Sequence, residues 1–522
     1  MPRTLICLLL CLSLATLPAG AQQADPSPAQ SRLGINLNGP TDWNAEIPFV
    51  DVFRLSRQWI SQRQGEGWGK GPALQRDANG WVTQLEANCW ADTPMCTIRG
   101  GHFPKGRYTC LYEGQGQIEF WGGAQVAEQQ PGRIVVEVKP DAEVVWLRLR
   151  ATNPQDYVRN IRVVMPGCEA THRQAPFRPG FLVQWKSMNT IRFMDWMLTN
   201  HDLPGTWAER PTPQYCNFTE RGVPVEVMVD LCNRLKVNPW FCMPHRADDD
   251  YVRQFAAYVH EHLDPSLHVV LEYSNEVWNS IFPQNRYAQQ KGQELSLGPR
   301  ERPWEGGGMY HSRRSLEIFR LWEDVFEGRS RLVRVISWQA VNPWWMEHII
   351  LPTDEAHAHC DAIGIAPYFG PLIPPTTSKD GRPGADKIVD WTVDQLLDHV
   401  EQMTLPEAIE AIKQQKVIAD RFSLKLVAYE AGQHLVGLGA AQNNDRLTRR
   451  LMQANRHPRM GAIYAKYLDA WKAAGGDLMC MFSSVGNWGK YGSWGLAEYC
   501  DETENDQPKL KAVMDWVRNN PR

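Results

Sequence analysis

The stretch His268-Val269-Val270-Leu271-Glu272-Tyr273-Ser274-Asn275-Glu276-Val277-Trp278-Asn279 joins a short apolar run directly to a polar tip carrying an Asn-Glu pair. A short apolar run that stops at a polar tip describes a buried parallel strand rather than a half-exposed one. Far downstream, Leu424-Lys425-Leu426-Val427-Ala428-Tyr429-Glu430-Ala431-Gly432 repeats the arrangement and ends on a single glutamate. Runs of the same kind recur, giving candidate strands at 33–38, 188–194, 239–243, 268–273, 332–337, 361–366, 425–429 and 477–482. From residue 188 onward they alternate with helix-period segments at 224–235, 250–262, 312–326, 405–421 and 462–474, with Pro224 suited to a first helical position. Eight strands with intervening helices predict an α/β fold, a closed (β/α)8 barrel over residues 30–60 and 176–515. A doubly wound open sheet is the alternative, but the glycine-rich phosphate turn it usually carries is missing after the first strand.

The interval between the first two strands is different in kind. Residues 65–168 show strand-like runs at 81–85, 106–112, 117–121, 133–138, 143–150 and 158–164, with little helical periodicity. This predicts an all-β, sandwich-like domain inserted after the first barrel strand, either binding carbohydrate or shaping one wall of a cleft. Residues 371–386, rich in Pro, Gly, Thr and charge, read as a long loop on the face where strands end. Glu305-Gly306-Gly307-Gly308 reads as a mobile lip or linker.

The chain has 522 residues, a formal net charge of −4 and 22 tryptophans. Near-neutral charge gives no electrostatic footprint for nucleic acid. Arg3, the apolar stretch 5–17 and Ala19-Gly20-Ala21 have the form of a cleavable leader over residues 1–21, so export to a secreted or periplasmic location is expected. The apolar stretch is short for a membrane span, and no other segment comes near one. Ten cysteines remain beyond the leader, with Cys89/Cys96 and Cys480/Cys500 the first disulfide pairs to test. Trp278, Trp304, Trp344, Trp345, Trp488 and Trp494 sit beside Gly, Pro or Asn in loops, where some of them are expected to line a cleft.

Reactive groups of a barrel stand at strand C-termini. Walking those ends gives Arg192, His245, Asn275-Glu276, Trp338, Tyr368, Glu430 and Trp488. Two glutamates on separate strand tips suit acid-assisted cleavage of a glycosidic bond. Glu272 precedes Glu276 by four, and a buried carboxylate there needs a partner, with Arg192 as the candidate. Metal readings are weaker: His357-Ala358-His359-Cys360-Asp361 precedes a strand, at the end away from the chemistry, and Asp248-Asp249-Asp250 precedes a helix that it can cap. No metal and no cofactor are expected.

These residues resemble the retaining glycoside hydrolases of clan A, most broadly the cellulase-type family 5. The resemblance implies Glu276 as acid/base and Glu430 as nucleophile. It further implies that Asn275 binds the sugar 2-hydroxyl, Tyr368 holds the nucleophile, and Trp488 forms a platform. Arg192 and His245 match the family's polar residues more loosely, and Trp278 and Trp338 join the substrate-binding set. Where the family often has His two residues before the tyrosine, this chain has Ala366. The implied partner is a β-linked polysaccharide or oligosaccharide, without nucleic acid or membrane. A non-catalytic carbohydrate-binding or scaffolding barrel is the alternative, and a metal-dependent exported hydrolase a third.

Overall fold

The structure is a computed structural model that describes residues 32–139 and 141–521. The leader at residues 1–21 lies outside the described residues.

Eight parallel strands close into one barrel: Leu33–Asn36, Thr190–Arg192, Asn238–Met243, Val269–Tyr273, Leu332–Ser337, Ala362–Ile365, Lys425–Ala428 and Met479–Met481. The first strand pairs with both the second and the last, so the sheet has no free edge. All eight runs read from the sequence form these strands: six are trimmed by one to four residues, 332–337 is matched at both ends, and 239–243 gains Asn238. Parallel strands need crossovers, and helices such as Val225–Leu235, Asp249–His262, Leu405–Arg421 and Pro458–Ala473 supply them outside the barrel. Inside, Met194, Trp240, Cys242, Val335, Val427 and Tyr429 belong to a packed core rather than a pore. Gly34 is required there, since a Cβ would stand 2.6 Å from the Cys480 sulfur.

Between the first and second barrel strands the chain forms two four-stranded antiparallel sheets. One runs Ile60–Arg63, Cys89–Met95, Val145–Thr152, Gly116–Gly122; the other runs Arg159–Val164, Gly106–Glu113, Arg133–Val138, Ala124–Gln130. Alternate residues of both, among them Ala91, Leu147, Leu149, Cys110, Val136 and Ile161, share one apolar core.

Three local expectations are corrected. Pro224 is the N-cap of its helix rather than its first helical residue. Glu305-Gly306-Gly307-Gly308 is neither lip nor linker but buried helix, part of Pro303–Val325. Glycine is disfavoured in helices, but here it lets helix Pro283–Glu294 come close: a Cβ on Gly292 would stand 2.4 Å from the Gly306 backbone. The ten cysteines from Cys89 to Cys500 are free thiols. Cys89 and Cys96 stand near opposite ends of the extended strand Cys89–Met95, about 20 Å apart at strand rise, far beyond disulfide reach. Cys480 is buried inside the barrel, whereas Cys500 packs against the core of the two sheets.

Asp248 caps helix Asp249–His262, accepting the Tyr251 N–H at 2.7 Å. Asp361 is gripped by the Arg334 guanidinium at 2.8 Å. Among the described residues, no helix is long and apolar enough to cross a membrane.

Candidate active site

The C-terminal end of the barrel is organised around one arginine. Arg192 ends the second strand and points inward, and its side chain is fully buried. A buried guanidinium must place five N–H donors, and here five bonds are made. Nη1 donates to Asn36 Oδ1 and Glu430 Oε1, both at 3.0 Å. Nη2 donates to Glu272 Oε2 at 2.9 Å and Asn275 Oδ1 at 2.8 Å, and Nε donates to Glu272 at 3.2 Å. One cation therefore ties together residues from strands one, two, four and seven. The Trp240 indole N–H also binds Glu272 Oε2, at 3.0 Å. Glu272 is thus sealed inside the barrel as the arginine's counter-ion.

Glu276 escapes that seal because the backbone turns. Ser274 and Glu276 both adopt the left-handed region, with φ of 58° and 39°. Such conformations cost about 1 kcal/mol or more each for non-glycine residues and gather where a side chain must be aimed. The turn breaks strand alternation, so Glu272 faces the barrel interior while Glu276 faces a cleft. Asn279 donates to Glu276 Oε2 at 2.9 Å, and the Tyr429 hydroxyl also bonds the carboxyl. Trp278 donates its indole N–H to the Tyr429 oxygen at 3.4 Å.

The two glutamates differ electrostatically. Burial and the neighbouring Glu430 charge push the Glu276 carboxyl up to about 8. Burial also raises Glu430, but the Arg192 charge and the Tyr368 hydroxyl, which donates to Oε2 at 2.8 Å, pull it back. Glu276 forms no ion pair among the described residues. When the pair shares one proton, Glu276 therefore holds it and Glu430 stays ionised.

The cleft onto which Glu276 opens encloses about 780 Å³ and is lined by Glu276, Trp278, Tyr368, His434, Tyr491 and Trp494, among others. The His434 ring stacks on Tyr368 with centroids 4.7 Å apart, and Trp494 stands 4.9 Å from His434. Burial pushes His434 down to about 4, so it is neutral at pH 7. Leu372 and Arg382 bring the loop 371–386 to the rim.

The structure brings together Glu276, Glu430, Asn275, Arg192, Tyr368 and Trp278. Three of the sequence candidates stand apart. Trp488 is 6% exposed and packs against the Lys509 ammonium at 4.2 Å, with its N–H on the Gly495 carbonyl. Trp494, six residues on, occupies the cleft wall instead. Trp338 is buried between His311 and Trp345. His245 lies buried against Tyr287, bonded to Asp202 at 3.3 Å.

Sequence reasoning missed Asn36, Asn279 and Asp195. Asn36 carries its own signal, a lone amide inside the apolar first strand. Its Nδ2 donates to the Tyr429 and Met481 carbonyls at 2.9 and 3.2 Å, bracing strands seven and eight. Asp195 lies three residues beyond Arg192. Burial and Glu430 push it up to about 7.

No protein-family model matches the chain, and no curated protein does. Solved structures that resemble it include glycoside hydrolases. A 4-O-α-L-rhamnosyl-β-D-glucuronidase from Fusarium oxysporum is 11% identical, with 63% of this chain and 61% of that chain covered and a TM-score of 0.39. The chain thus spans about three fifths of that enzyme's length. Xylanase 10C from Cellvibrio japonicus, in complex with xylopentaose, is 9% identical over 89% of this chain and 98% of its own, at a TM-score of 0.36. A Bacteroidetes-affiliated family 5 cellulase is 12% identical over 65% and 86%, also at 0.36.

Proposed function

We propose that the protein is a glycosidase that cleaves β-glycosidic bonds of a polysaccharide or oligosaccharide with retention of configuration. The observation that carries this reading is the asymmetry of the glutamate pair. Glu430 is held by a cation and a phenol, and Glu276 is half-buried beside it without a cation of its own. In the first step a Glu430 oxygen attacks the anomeric carbon as Glu276 passes its proton to the leaving oxygen, leaving a glycosyl ester on Glu430. In the second, Glu276 removes a proton from water, the water oxygen displaces Glu430, and the sugar leaves with its original configuration. Asn275, oriented by Arg192 and by the Asn200 side chain at 3.1 Å, is the group for the 2-hydroxyl. Trp494 and Trp278 supply apolar walls for the sugar ring. The leader expected at residues 1–21 suits a polymeric substrate outside the cytoplasm.

The deciding measurement is the anomer first formed. Proton NMR of a fresh digest of an aryl β-glycoside or β-linked oligosaccharide is expected to show the β anomer before mutarotation. Initial appearance of the α anomer would sink the double-displacement mechanism.

The pH profile follows from the same pair. A proton donor works only while protonated, so kcat/KM is expected to fall as pH rises through about 8, the value to which Glu276 is pushed. On the acid side the rate falls as Glu430 gains its proton. Glu276→Gln is expected to abolish the basic limb and to spare substrates with very acidic leaving groups, such as 2,4-dinitrophenol. A basic limb unchanged in Glu276→Gln would remove Glu276 from the role.

A further inference from the structure

The sheet made of Ile60–Arg63, Cys89–Met95, Val145–Thr152 and Gly116–Gly122 has two unlike faces. Ala91, Leu147 and Ile118 turn inward to the shared core. Strand alternation sends Trp90, Asp92, Trp146, Arg148 and Trp121 to the other side. The solvent face of such a sheet is ordinarily polar, yet this one is paved with indoles. Trp121 and Trp146 are direct cross-strand partners, stacked with centroids 4.7 Å apart and planes 5° from parallel. Trp68, on the turn after the first of these strands, stands edge-on to Trp146 at 5.3 Å.

A buried carboxylate fixes the rest of the surface. Asp92 accepts the Trp90 indole N–H at 3.2 Å and both arms of Arg148, at 2.8 and 3.1 Å. The Arg148 guanidinium lies 4.8 Å above Trp90 and 5.8 Å from Trp121, and Arg150 covers Trp90 at 4.9 Å. Trp90, Trp121 and its stacking partner Trp146 are therefore held in place before anything binds. Trp68 and Trp121 remain 56% and 37% exposed.

We infer that this face is an accessory glycan-binding surface, separate from the barrel cleft, that holds an uncharged polysaccharide strand. The choice of ligand rests on the glycosidase reading. Sugar rings offer apolar C–H faces to an indole and hydroxyls to whatever stands beside it. Here polar groups stand among the indoles: Gln62 is opposite Trp90, and Glu119, opposite Arg148, lies two residues before Trp121 on its strand. Gln62 accepts the Gly69 N–H through Oε1, while its buried Nε2 has no partner. Charge argues for a neutral ligand: Arg148 is spent on Asp92, and the formal charges of Arg150 and Glu119 on this face cancel.

The test uses the full chain as wild type, Trp68→Ala, Trp121→Ala and the double variant. Each is run on native gels containing soluble xylan, hydroxyethylcellulose or galactomannan, and assayed on aryl β-glycosides. At least one polymer is expected to retard the wild type, and the double variant is expected to lose that retention by about tenfold. It should keep the wild-type thermal midpoint and aryl-glycoside rate. Equal retardation of wild type and double variant would overturn the proposal, as would an enzyme active on aryl glycosides that no polymer retards. A dimer seen by light scattering only in wild type would assign the face to a second copy of the chain instead. Absence of all hydrolysis would remove the glycosidase reading alone, and indole-dependent retention would still stand.

Discussion

Replacing Glu430 with alanine is expected to lower kcat on an aryl β-glycoside by about 10⁴- to 10⁶-fold, the scale seen when a covalent nucleophile is deleted. Azide should restore turnover. The small anion fits the space left by the carboxylate and attacks the anomeric carbon from the same side, with Glu276 still delivering the proton. The product is then an α-glycosyl azide, a single inversion, whereas azide acting on Glu276→Ala should give the β-glycosyl azide through the intact ester on Glu430. This contrast assigns the two roles independently. The fold should tolerate the change, because Arg192 keeps Glu272 at 2.9 Å as its counter-ion. Full activity in Glu430→Ala, or the same azide anomer from both variants, would refute the assignment.

How far the sequence could be read depended on whether a residue's role is set locally. The eight strands were legible because buried parallel strands write themselves as apolar runs, and their ends named Arg192, Asn275, Glu276, Tyr368 and Glu430 together. Glu272 and Glu276 stand four apart, which in an unbroken strand would point both the same way. The left-handed residues Ser274 and Glu276 separate them, and nothing in the composition of the turn announces that. Loop residues were the least legible. Trp488 and Trp494 both follow the eighth strand beside glycines, and only three-dimensional packing sends one onto Lys509 and the other into the cleft. The Gly306-Gly307-Gly308 run shows the opposite failure, since low helix propensity was overridden by the close approach of a neighbouring helix. Asn36 was visible as an isolated amide in an apolar strand, but its value lies in reaching two carbonyls of strands that arrive some 400 residues later.

Arg192→Met should be the most damaging single change in the chain. It strands Glu272, 1% exposed, without its cation. Deleting one partner of a buried pair costs about 3–5 kcal/mol, which should appear as a large fall in the thermal midpoint. Activity should fall with it, because the same guanidinium positions Glu430 and Asn275. The double variant Arg192→Met/Glu272→Leu separates the two effects. Replacing a whole buried ion pair with apolar groups of similar volume is often neutral, so the midpoint should recover most of its loss. Activity should not recover. Glu430 would then lack the charge that keeps it ionised, and the Asn275 oxygen would lose its 2.8 Å donor. The acid limb of the residual pH profile should accordingly move upward, since Arg192 lowers the Glu430 carboxyl in the native site. A double variant that regains both stability and turnover would reduce Arg192 to a barrel strut and leave Glu430 to be activated by Tyr368 alone.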